Sequence, residues 1–68
     1  MYLTVNGSPR ELAEDSAVAD LVEARFGDRR AAGVAVAVNA TVVTQSAWEH
    51  HALHDGDRID IVTAVQGG

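Results

Sequence analysis

Only one stretch of this chain has helical spacing, and segments that alternate in strand fashion lie on both sides of it. Val18, Leu21, Val22 and Phe26 fall on one face of a helix, while Asp20 and Glu23 point away from it. Ser16 is the predicted N-cap, supported by Asp15 and Asp20, and Gly27 is placed to stop the helix in a left-handed cap. Glu23 is expected to pair loosely with Arg25 and its neighbours, at little gain for an exposed pair. Before the helix, Leu3 and Val5 alternate with Tyr2 and Thr4. Asn6-Gly7 follows, the dipeptide that best accepts positive φ in a tight hairpin. Pro9 then sets φ ahead of a short second strand around Arg10 to Ala13, with Leu12 turned toward the core.

Beyond the helix, Asp28 to Ala32 reads as a polar connection. Val34, Val36 and Val38 alternate with Ala35 and Ala37, a strand with both faces at least partly covered. Asn39-Ala40 resembles a hairpin turn, and Thr41 to Thr44 is a short fourth strand. Gln45 to Leu53 is irregular or briefly helical, with Trp48 and Leu53 plugging one edge of the core. After the turn Asp55-Gly56-Asp57, the segment Arg58 to Val65 alternates clearly. Ile59, Ile61, Thr63 and Val65 face one way; Asp60, Val62 and Ala64 face the other. This last strand is expected to be the longest, central, and parallel to the first. The order β-β-α-β-β-β with that pairing is an α+β fold of the β-grasp type: a mixed sheet of about five strands with one main helix.

A chain of 68 residues supports one small domain, which buries only about 60% of the surface its unfolded form exposes. Residues 1-68 are therefore expected to form a single domain with a flexible Gly-Gly tail. At 47% apolar the sequence is globular, with Phe26 and Trp48 as bulky fillers of an aliphatic core. Ten acids against five arginines give a formal charge of −5. That balance opposes binding to nucleic acid and to anionic membranes, and suits a basic protein partner. No run approaches the roughly 20 apolar residues of a membrane span, and the first residues lack the pattern of a signal peptide. A cytoplasmic protein is expected.

The sequence contains neither cysteine nor lysine. Side-chain persulfides, thiol nucleophiles and Schiff-base chemistry are therefore excluded. His50, His51 and His54 do not assemble a metal site, because three or four converging ligands are needed and only scattered acids join them. Asp55, Asp57 and Asp60 lack calcium-loop spacing. No catalytic triad or phosphate-cradling loop is present. Covalent chemistry is left to a chain terminus. The end Gln66-Gly67-Gly68 has no Cβ at its last two residues, so it can thread a narrow channel and offer an unhindered carboxylate for adenylation.

Across nearly its whole length the chain resembles the ThiS family of sulfur carriers in thiamine thiazole synthesis. The features that carry the resemblance are Val5-Asn6-Gly7, Ser16 to Leu21, Val36-Ala37-Val38-Asn39, Val42-Val43, Trp48, Leu53 with Asp55-Gly56-Asp57, and Val62 to Gly68. Thr44-Gln45 departs from the proline and basic residue common in the family at that point. The resemblance implies a carrier that is acted on by enzymes and has no cofactor of its own. A ThiF- or MoeB-type adenylyltransferase would activate the Gly68 carboxylate with ATP and magnesium. A cysteine desulfurase or rhodanese relay would turn it into a thiocarboxylate, and the thiazole synthase ThiG would receive the sulfur. Gln66, Gly67 and Gly68 would thread partner active sites. Val62 and Ala64, with Val42 or Val43, would form the docking surface on the outer face of the sheet. A MoaD-like carrier for molybdopterin is the nearest alternative, and a non-catalytic β-grasp binding module is one from another class.

Overall fold

The computed structural model describes residues 1–63. Strands β1 (Tyr2–Val5), β2 (Ser8–Glu11), β3 (Val34–Val38), β4 (Thr41–Val43) and β5 (Arg58–Thr63) form one sheet in the order β2-β1-β5-β3-β4. Among the described residues a single α-helix, α1 (Val18–Phe26), lies between the two hairpins in sequence, and Gln45–Ala47 makes a 3₁₀ turn. β5 is parallel to β1 and antiparallel to β3, and it is the longest and central strand, as its alternation predicts. This is the expected β-grasp.

Both hairpin turns follow from backbone chemistry. Asn6 and Gly7 have φ of 51° and 81°, and Asn39 and Ala40 have φ of 50° and 70°. Two successive positive φ values make the type I′ turn whose twist matches the strands it joins. Register in the first hairpin pairs Val5 with Ser8 and Thr4 with Pro9. The second strand thus begins earlier than the sequence suggests and includes Pro9, while Leu12 lies just past it and packs against the core. Pro9 is tolerated because β2 is an edge strand, where a missing N–H costs no ladder bond.

The start of α1 differs from expectation. Ala17, not Ser16, is the N-cap residue; the Ser16 hydroxyl instead donates to the Ala13 carbonyl at 2.7 Å. Ala17 has no capping side chain, so the free N–H groups of the first turn find partners elsewhere. Val18 N–H donates to the His51 carbonyl and Ala19 N–H to that of Trp48, both at 3.0 Å. Asp20 accepts from Ala17 N–H at 2.8 Å. That bond, with Arg29 at 2.7 Å, holds the Asp20 carboxyl below its ordinary pKa. Arg29 also bonds Glu23 at 3.1 Å, which makes it the partner of Glu23 in place of Arg25. Gly27, at φ 79°, ends the helix as expected, and its N–H donates to the Glu23 carbonyl.

The core joins Leu3, Val5, Val36, Val38, Val43, Ile59 and Ile61 of the sheet to Val18, Ala19, Leu21 and Val22 of the helix. Trp48 and Leu53 close one side, and the Trp48 indole N–H donates to the Val43 carbonyl at 2.9 Å inside the protein. Phe26 is not a core filler: it is 37% exposed. All four buried helix residues lie within Val18 to Val22, where the sheet and the Trp48 segment both cover α1, and Phe26 sits on the last turn before Gly27. The β3 strand is covered on one face only. Val36 and Val38 are buried, whereas Ala35 is exposed and Ala37 only half-buried.

Candidate functional site

The strand that leads into the Gly-Gly end is fixed along its described length by side chains from other elements. At its start, the Asp55 carboxylate accepts from Tyr2 N–H at 2.5 Å, and Gly56 N–H donates to the Tyr2 carbonyl at 2.7 Å. Asn39 accepts from Arg58 N–H at 2.9 Å and donates to Asp57 at 3.0 Å, while Asp57 also accepts from His54 N–H at 2.8 Å. These bonds lace the first residues of β5 to β1 on one side and to the β3–β4 turn on the other.

Farther along, β1 ends at Val5 but its role is continued by a side chain. The Asn6 carboxamide accepts from Ile61 N–H at 2.8 Å and donates to the Ile61 carbonyl at 3.1 Å. It satisfies the same pair of backbone groups that a neighbouring strand residue would. The Asn6-Gly7 dipeptide advertises a turn; nothing local announces that its amide also reaches a residue 55 positions away. The Asp55-Gly56-Asp57 signal is likewise read as a turn, and its hold on Tyr2 and Asn39 becomes visible only in three dimensions.

Among the described residues, one face of the sheet carries α1 and the other is open. On the open face Val62 lies opposite Ala35, and Ala37 lies between Val42 and Asp60. Val42 is 73% and Val62 63% exposed. The small alanines between them leave a low apolar surface rather than a cleft, and no pocket forms among the described residues. Arg58 and Asp60, 3.8 Å apart, border it. Exposed apolar groups collected in this way suit contact with another protein. Val43, offered with Val42 as a docking residue, points the other way: it is buried in the core, because adjacent strand residues face opposite sides. Ala64, Gln66, Gly67 and Gly68 lie outside the described residues.

The histidines are spread apart in role. His50 and His54 are exposed, and His51 serves the helix through its backbone carbonyl. His54 Nδ1 lies 3.9 Å from the Asp57 carboxylate, too long for a hydrogen bond. Among the described residues, no group of three or more His, Cys, Asp or Glu side chains is arranged to hold a metal ion.

Comparison with known proteins matches this architecture. A sequence profile of the ThiS family matches residues 3–68. The sulfur carrier protein ThiS of Escherichia coli (strain K12) is 32% identical over 68 residues, which is the full length of both chains. The crystal structure of the thiamine biosynthesis protein ThiS from Geobacter metallireducens superposes with a TM-score of 0.79 at 31% identity, covering each chain completely. A solution structure of a thiamine biosynthesis protein from the same organism gives a TM-score of 0.78 at 32% identity and covers 88% of that chain. With profile, sequence and fold in agreement over essentially its whole length, the chain belongs to the ThiS family.

Proposed function

We propose that this chain is a sulfur carrier for thiazole formation in thiamine biosynthesis, and that the carboxyl of Gly68 carries the sulfur. The observation that supports this most is the alignment to the Escherichia coli sulfur carrier protein, which leaves no residue of either chain uncovered. In that reading the protein is not an enzyme. Its part is to present one carboxylate, and its partners provide the catalytic groups.

The chemistry follows from what the sequence offers and lacks. Without cysteine, sulfur has no side chain to ride on. The Gly68 carboxylate attacks the α-phosphate of ATP, held with magnesium by a ThiF- or MoeB-type adenylyltransferase, and pyrophosphate leaves. The terminal sulfur of a persulfide on a cysteine desulfurase or rhodanese relay then displaces AMP at the acyl carbon to give an acyl disulfide. A second thiol of the relay cleaves its S–S bond, forming a disulfide with the donor cysteine and leaving the thiocarboxylate. A thiazole synthase of the ThiG type receives the sulfur. Gln66, Gly67 and Gly68 are the threading residues, and the two glycines admit close approach of backbone on every side. The open face around Val62, Val42 and Ala37, with Ala64 beyond it in sequence, is the surface on which these partners dock.

The test is intact-mass measurement after incubation with ATP, magnesium, an adenylyltransferase of this type and a sulfur source. The expected result is replacement of one oxygen by sulfur, mapped by fragmentation to Gly68 and lost on deletion of Gly68. A mass that stays unchanged with every activating enzyme tried would overturn the proposal. Transfer to the large molybdopterin synthase subunit in preference to thiazole synthase would move the protein to the other carrier branch.

A further inference from the structure

The register of β5 fixes what surrounds the place where the strand leads on toward Gly68. Thr63 pairs with Val34, so β3 begins at that end, directly after the connection from α1. β4 finishes there too, because Val43 pairs with Val36 and the chain then turns into Gln45. Gln45 Nε2 donates to the Arg30 carbonyl at 2.9 Å, and Arg30 N–H donates to the Asp28 carboxylate at 2.9 Å. Ala31, the next residue, is buried in the core. The backbone of Arg30 is thereby held in place while the residue itself is exposed. α1 starts beside His51, on the side where β5 begins, and so runs toward this same end.

Charge is divided along that axis. Three of the five arginines, Arg25, Arg29 and Arg30, fall within six residues at the end of α1 and in the connection after it. Arg29 is taken up by Asp20 and Glu23. Arg25 and Arg30 are exposed and form no ion pair among the described residues. Phe26, beside Arg25 in the last helical turn, is exposed as well, and arginine with an aromatic neighbour is the composition of binding surfaces. Acids collect at the other end: Asp55 and Asp57 precede β5, Glu11 closes β2 opposite Tyr2, and Glu14 and Asp15 follow it. We infer that Arg25 and Arg30 form a second docking surface, apart from the open face, for an acidic protein surface around the entrance through which an activating enzyme receives the chain's end. The inference rests on the reading of Gly68 as the adenylated residue. Residues 64–68 span at most about 18 Å, so an enzyme that takes Gly68 comes within that distance of Thr63 and meets this end of the domain. A chain of formal charge −5 is repelled as a whole by an acidic partner. Exposed cations at the leading end reverse that sign locally, orient the encounter and speed it. Guanidinium groups stay charged at any working pH and hold carboxylates through two parallel N–H bonds.

The test compares wild type with the double variant Arg25→Gln, Arg30→Gln, with Arg30→Gln alone, and with Arg10→Gln as a control. Arg10 is exposed on β2, at the sheet edge remote from β3 and β4. Binding to the adenylyltransferase is measured first without ATP, at ~0.05 M and ~1 M salt. At low salt the double variant should bind about fivefold more weakly and Arg30→Gln about twofold, while Arg10→Gln should match wild type. At ~1 M salt, where charges are screened within about 3 Å, wild type and the double variant should agree within about twofold. Arg25 also suits the C-terminal end of α1, so melting is followed alongside. Arg30→Gln alone carries the test if Arg25→Gln lowers the melting temperature. Equal affinities of wild type and the double variant at low salt overturn the inference. So does a difference that persists at high salt, or one that arises only when ATP is added, which would assign the arginines to nucleotide phosphates. Wild type that binds but is not adenylated with ATP and magnesium would defeat the carrier reading, and the salt comparison would still decide what the arginines meet. Absence of binding by wild type overturns both.

Discussion

Replacing Asn6 with glycine should weaken the domain by removing a side chain that substitutes for a strand. Asn6→Gly keeps the turn, because glycine accepts the φ of 51° without strain. What disappears is the pair of bonds to Ile61 at 2.8 and 3.1 Å. A net hydrogen bond contributes about 0.5–1.5 kcal/mol, so the pair is worth roughly 1–3 kcal/mol. Water can partly replace bonds at this half-buried position, which favours the lower part of that range, about 1–2 kcal/mol. A domain of 68 residues has about 3–10 kcal/mol of stability in total, so the loss is a sizeable fraction. Trp48 is buried and reports unfolding by its fluorescence. With a urea slope of about 1 kcal/mol per molar, the midpoint should fall by about 1–2 M. Amide exchange at Ile61 should quicken more than at Thr4, whose N–H keeps its backbone acceptor in the Asp57 carbonyl. Asn6→Asp retains the acceptor for Ile61 N–H but loses the donor, and should fall between the two. A midpoint within about 0.3 M of wild type at unchanged slope would refute the idea that Asn6 holds the central strand.

Three further outcomes are expected. Ala40 sits at φ 70°, where an L-residue is strained by roughly 1–2 kcal/mol, so Ala40→Gly should stabilise by about 0.5–1 kcal/mol after the extra unfolded-chain entropy is subtracted; thermal melting checks it. Val62→Asp alters a residue that is 63% exposed, so the melting temperature should hold, while the carrier concentration giving half-maximal adenylation should rise about fivefold or more; unchanged kinetics would remove this face from docking. Asp20 has a lowered pKa, first through the bond from Ala17 N–H and then through Arg29. Its contribution is therefore present above the usual carboxylate pKa near about 4 and is lost as pH falls through the lower folded value. Urea midpoints between neutral pH and pH ~3 should fall less steeply in Asp20→Asn than in wild type.

The architecture was legible because most of its signals are local. The Asn6-Gly7 and Asn39-Ala40 turns, the Gly27 stop and the alternation through Ile59 and Ile61 each depend on a few neighbouring residues, and each appears in place. The errors lie where a distant segment decides. Ser16 has the chemistry of an N-cap, yet the carbonyls of Trp48 and His51 reach the first turn and Ala17 takes the position. Phe26 keeps the helical interval of a core residue, but the covering sheet and loop concentrate on the other end of α1. Val42 and Val43 differ only in parity, which the short fourth strand left undecided in the sequence and the pairing of Val36 with Val43 settles. Of the candidate site, the terminal glycines lie outside the described residues, and the bonds that position β5 were not legible in the sequence. Asn6, Asp55 and Asp57 look like turn residues, and their second partners lie far away in sequence.

Those bonds matter more for β5 than they would for any other strand. Its side chains serve two surfaces at once: Ile59 and Ile61 fill the core, while Asp60 and Val62 stand on the open side. A slip of one residue against β1 or β3 would exchange the two sets, placing Asp60 in the core and both isoleucines in water. Moving the two isoleucines out would forfeit about 3–6 kcal/mol of burial, comparable to the whole stability of a domain this small. Hydrophobic patterning therefore already forbids the slipped state, and the polar bonds have a finer task. They fix where along its axis the strand sits and how firmly its far half is held once β1 has ended at Val5. Asp55 and Asn39 set the start, and Asn6 extends the hold to Ile61. The position of Val62 on the open face is thereby referred to one rigid frame. In the proposed role, successive enzymes would meet the same open face each time, and turn residues are what hold its central strand in place.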